Sequence, residues 1–160
     1  MKMKEIGLDV PGRTVRIAIL ASEFNRFVTE QLVAGARAGL SAHGIEPEHV
    51  TLAWVPGAFE LPLAADRLLG AGLADAVIAL GAVIRGETAH FDYVAGECSR
   101  GLSQVSLKHG APVIFGVLTT DTVDQALARA SLDQGNKGFD CAVAALNMLG
   151  LIEKLGEHKA

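Results

Sequence analysis

Residues 76–84 read AVIALGAVI, without a single charged or hydrogen-bonding side chain. A strand with one wet face alternates apolar and polar positions. A continuous apolar run of this length asks for cover on both faces, as in a parallel sheet between helices. That requirement excludes most all-β arrangements and selects the α/β class.

Further β-branched runs agree with it. Val15–Ala21, Val50–Val55 and Val113–Leu118 read as strands, with Ala76–Val83 as the third of four. Helical patterns separate them. Val28, Leu32, Ala36 and Leu40 recur every four residues and stop before Gly44, a C-cap residue. Pro62 fits only a first turn, which starts the second helix near Phe59. Val94, Cys98, Leu102 and Val105 form one stripe of a third helix, His90 to His109. Thr122 and Gln125 match a capping box for a fourth. The fifth, Phe139 to about Leu155, is apolar nearly all round and is therefore covered on more than one side. The expected architecture is a three-layer α/β/α sandwich with a four-stranded parallel sheet and right-handed crossovers. Residues 1–160 form one domain, in which 1–12 are either a mobile arm or an added N-terminal edge strand.

The chain of 160 residues is 50% hydrophobic and 20% charged, so its body must fold around a core. Mean hydropathy is +0.33, yet no apolar run approaches the roughly 20 residues of a membrane span. The surplus apolar surface points to burial between subunits. A net charge of -4 argues against nucleic acid as a partner. Cys98 and Cys141 lie far apart, without metal spacing and within helical segments, which suits reduced, buried thiols in the cytoplasm. MKMKEIGLDV has no long apolar stretch and is not read as a secretory signal.

In open α/β sheets ligands bind beyond the carboxyl ends of the strands. The unusual segments of this chain follow its strands: ASEFN, PGAFELP, RGETAH and TTDT. No phosphate-loop or dinucleotide signature is present, nor a nucleophile elbow. No cluster of ligands has metal spacing, so the expected site uses no metal and no cofactor. Gly86 and the first amides of the third helix suit an anion, although a lone RGET is also an ordinary loop capped by Thr88. His90 follows within one turn and can move protons near neutral pH. His43, His49, His109 and His158, at helix ends or in the tail, suit solvated or capping roles. Phe24 and Phe59 could sandwich a flat heterocycle beside Glu60, though a single phenylalanine is more often core.

VPGAFELP (55–62), GAVIRGETAHFDYV (81–94), PVIFGVLTTDT (112–122) and NKGFDCAVAAL (136–146) together resemble the motifs of the lumazine synthase family. The resemblance runs from about Arg16 to Leu155. It implies a flavodoxin-like fold and the penultimate step of riboflavin biosynthesis. In that step 5-amino-6-(D-ribitylamino)uracil and 3,4-dihydroxy-2-butanone 4-phosphate condense to 6,7-dimethyl-8-ribityllumazine, phosphate and water, without a cofactor. It implies Phe24 stacked on the pyrimidine, with Ala58, Phe59, Glu60, Ala82, Val83 and Ile84 around the ribityl-pyrimidine. Glu87 and Thr88 fall in the phosphate loop, Glu87 where aspartate or glutamine is also familiar. His90 is the proton-transfer residue. Phe115 and Arg129 correspond to elements supplied by an adjacent subunit, Arg129 on the phosphate and Lys137 nearby. ASLDQG (130–135) departs from the Gly-Thr-Lys type sequence of many relatives, in a segment that bears on assembly.

Arg129 lies about 10 Å along a helix leading away from the strand ends, so a neighbour has to bring it to the site. A homo-oligomer with sites between subunits follows. The resemblance implies a pentamer, a sixty-subunit shell as an open alternative, and riboflavin synthase as a candidate partner. Two other readings compete: a binding or shell protein without turnover, and a riboflavin synthase joining two lumazines. Arg129 near an RGET loop favours the phosphate-bearing substrate over the latter.

Overall fold

The computed structural model describes residues 2–133 and 135–157. His158 lies outside them. Four parallel strands, β1 (Ile17–Ser22), β2 (Val50–Val55), β3 (Ala76–Ile84) and β4 (Val113–Thr120), form one sheet in the order β2-β1-β3-β4. Between and after them run α1 (Arg26–Ala42), α2 (Leu61–Gly70), α3 (His90–His109), α4 (Val123–Ala130) and α5 (Lys137–Glu157).

Side-chain alternation sorts the sheet into two cores. Ile17, Ile19, Ile78 and Leu80 join Leu32, Leu40, Ala126, Ala142 and Leu146 from α1, α4 and α5. Ala18, Leu20, Val77 and Ala79 join Leu61, Ala65, Cys98 and Leu102 from α2 and α3. The β3 run that required two covers has them: Ala76–Ala82 is buried throughout. Right-handed crossovers explain the sorting, because the chain moves one way from β1 to β2 and the other way from β2 to β3. Helix α5 can lie close on α1 because Gly138 has no side chain; a Cβ there would overlap the Leu32 carbonyl.

Helix boundaries follow local chemistry. Thr122 Oγ1 accepts from the Gln125 amide at 3.1 Å, and the Gln125 side chain accepts from the Thr122 amide, completing the capping box. Gly44 takes φ +79° just past α1. A short 3-10 turn, Ala58–Glu60, precedes α2, with Pro62 in the first turn of the helix.

Residues 2–12 contribute no strand, so the sheet stays at four. The segment lies instead on the end of α5. The Gly12 amide donates to the Glu153 carboxylate at 3.2 Å, and Lys154 Nζ donates to the Gly7 carbonyl at 3.2 Å. Gly150 makes this approach possible, since a Cβ there would overlap the Asp9 carbonyl. Among the described residues no helix is long and apolar enough to cross a membrane.

Candidate active site

Strands β1 and β3 are neighbours whose following helices leave to opposite faces, which opens a crevice at their carboxyl ends. There the structure has a cavity of about 710 Å³. The exits of three strands build it: Phe24 after β1, Pro56–Glu60 after β2, and Ala82–Ile84 at the end of β3. The loop after β3 and the start of α3 close one side with Gly86, Thr88, His90, Phe91, Tyr93, Val94 and Glu97.

Backbone bonds hold the walls in place. Beyond the β1–β2 ladder the Glu23 amide donates to the Val55 carbonyl (2.7 Å), and the Phe24 amide to the Pro56 carbonyl (3.1 Å). Phe24 and Phe59 are 71% and 56% exposed. Two large aromatic faces left in water around one apolar cavity are the mark of a ligand site rather than of a core.

The RGET loop is pinned by its arginine. The Arg85 amide donates to the Thr120 carbonyl at 2.8 Å. Its guanidinium donates to Asp121 at 2.9 Å, stands 3.6 Å from Asp92, and lies 4.3 Å over the Phe91 ring. Arg85 is thereby occupied within the chain, fixing the loop against the exit of β4. Exposed pairs of this kind contribute about 0–1 kcal/mol each, so their effect is geometric. Thr88 Oγ1 accepts from the His90 amide at 3.4 Å. The N-cap position of α3 is Ala89, without a side-chain cap bond; Thr88, one residue before it, lines the cavity. Glu87 is exposed and does not line the cavity, whereas its neighbours Gly86 and Thr88 do.

Phe115, Arg129 and Lys137 are elsewhere. They line a second, smaller cavity of about 390 Å³ with Val117, Leu118, Thr119, Gly135 and Asp140, along β4 and between α4 and α5. Since β4 is an edge strand, this cavity lies at the open edge of the sheet. Asn136 organises it. Its buried side-chain amide donates to the Gln31 carbonyl (2.9 Å) and the Ala130 carbonyl (2.7 Å), and its Oδ1 accepts from the Phe139 amide (3.1 Å). One side chain thus ties α1, the end of α4 and the start of α5, with Arg129 and Lys137 on either side of the joint.

Sequence reasoning did not single out Tyr93, Val94 and Glu97 for the first cavity, although their spacing from His90 puts them within two turns of it. It passed over Asn136 as well, whose partners come from three helices. Among the described residues no group of three His, Cys, Asp or Glu side chains is placed to hold a metal ion.

The family model described as 6,7-dimethyl-8-ribityllumazine synthase matches residues 14–153, from the approach to β1 into the last turns of α5. All four strands, the aromatic cavity and the cavity lined by Arg129 fall inside that match. By fold, by motif and by this match, the chain belongs to the 6,7-dimethyl-8-ribityllumazine synthase family.

Proposed function

We propose that this chain is a transferase that condenses 5-amino-6-(D-ribitylamino)uracil with 3,4-dihydroxy-2-butanone 4-phosphate. The products are 6,7-dimethyl-8-ribityllumazine, phosphate and water. The observation that carries the reading is the division of the predicted residues between two cavities: aromatic faces and His90 in one, Arg129 and Lys137 in the other. A pyrimidine fits between Phe24 and Phe59, with its ribityl hydroxyls toward Glu60. The phosphate lies near Thr88 and the first amides of α3, and Arg129 of a neighbouring copy completes it.

The chemistry needs little beyond this. The amine of the pyrimidine adds to the ketone and water leaves, giving an imine. Phosphate departs by elimination as a proton is lost from carbon, and the second nitrogen closes the ring with loss of water. Holding both reactants together supplies most of the acceleration through high effective concentration. His90, at the rim between the pyrimidine and phosphate regions, takes and returns the protons. A pentamer in the cytoplasm is the assembly proposed, with a sixty-subunit shell and association with riboflavin synthase as further possibilities of the family.

Incubating the purified protein with both substrates and following lumazine absorbance tests the reading. Product formation at a rate proportional to protein is expected. No product, or riboflavin formed from lumazine alone, overturns it.

A further inference from the structure

Asn25 is the single non-glycine residue with positive φ among the described residues, at φ 62° and ψ 42°. It is also the N-cap of α1, a position where asparagine usually accepts from the backbone of the first turn. Here it makes no such bond. Its Nδ2 instead donates to the Ala82 carbonyl at 2.8 Å. The register explains why that carbonyl is free. Pairing of β1 with β3 ends at Ala21↔Leu80, while β3 continues to Ile84. Asn25 stands where the next backbone donor of β1 would have been.

The left-handed conformation turns the chain sharply between Phe24 and α1, in a backbone region that asparagine tolerates better than most side chains but less easily than glycine. Forgoing the cap gives up a further local stabilisation. Both are local sacrifices at one residue, and both serve the same neighbour. Phe24 is tied on one side by its amide to Pro56 and on the other by Asn25 to the floor of the cavity at Ala82. Its ring itself is largely free of protein contacts, being 71% exposed. Its carbonyl accepts from Ser22 Oγ at 3.4 Å, so bonds to the backbone on either side set the direction of the turn.

We propose that Asn25 is a positioning residue for the pyrimidine substrate, setting the angle at which Phe24 meets the ring. This rests on the proposed function, whose own failure would show as an inactive wild-type protein. The test is steady-state kinetics of wild type, Asn25→Ala and Asn25→Gly with each substrate varied in turn. Asn25→Ala, which loses both the bond and the easy left-handed turn, should raise the KM for the pyrimidine about tenfold, the scale of one hydrogen bond. The KM for the butanone phosphate should stay within about twofold. Asn25→Gly, which adopts positive φ without strain, should recover part of the loss, and it carries the comparison alone if Asn25→Ala does not fold. An active wild type whose variants lose stability while both KM values hold, or shift together, overturns the proposal.

Discussion

His90 and Arg129 stand on opposite faces of one sheet. His90 begins α3, which packs with α2 against Ala18, Leu20, Val77 and Ala79; Arg129 ends α4, which shares the other core with α1 and α5. Each lines its own cavity. A reaction that uses both residues at one site requires two copies of the chain, and the predictions below follow from that separation.

Removing His90 should slow turnover without abolishing it. With proximity carrying most of the rate, His90→Ala is expected to reduce kcat by about 10- to 100-fold, roughly 1.4 kcal/mol per tenfold. Stopped-flow or steady-state absorbance reads this directly. A loss of about 10⁵-fold would mean that proton transfer, not approximation, dominates.

Arg129→Ala should act on one substrate. A charge-assisted bond to phosphate contributes about 1.5–3 kcal/mol, so the KM for the butanone phosphate should rise by about 10- to 100-fold, with the pyrimidine KM nearly unchanged. Equal effects on both would detach Arg129 from the phosphate.

The two thiols should be silent in the native protein. Burial pushes Cys98 and Cys141 each up to about 11, since desolvation disfavours the thiolate. At pH 8 only about one molecule in a thousand carries the reactive form. Iodoacetamide should label neither in the native state and both in guanidinium, with labelling rising as pH approaches 11. Prompt labelling of one native thiol, read by mass spectrometry, would show its helix opening.

Much of this architecture is legible in the sequence because it is set by local pattern. The apolar stripe of Val94, Cys98, Leu102 and Val105 places α3 at His90–His109, as observed. The double-faced run of β3 forces a parallel sheet, and Thr122 with Gln125 fixes the start of α4. What escaped depends on partners distant in the chain. Whether residues 2–12 form a strand is decided by Gly150 and Lys154, which offer them a seat on α5. The RGET loop reads as suited to an anion, but the sequence does not name the partner of its arginine, which is Asp121, thirty-six positions away. Asn25 gives no signal, because a helix cap and a left-handed tether are spelled with the same residue. The placing of Phe24 and Phe59 at strand exits is readable; the joint at Asn136 is not, since its acceptors on Gln31 and Ala130 are backbone carbonyls.

The shared site is tested most directly by complementation. His90→Ala and Arg129→Ala chains are unfolded together, refolded as an equal mixture and assayed beside each parent refolded alone. If each site takes His90 from one copy and Arg129 from the next, about a quarter of the interfaces in mixed rings join two intact halves. Activity above the average of the two parents is the expected result. Mixed rings, verified by native mass spectrometry, that never exceed that average would contradict it.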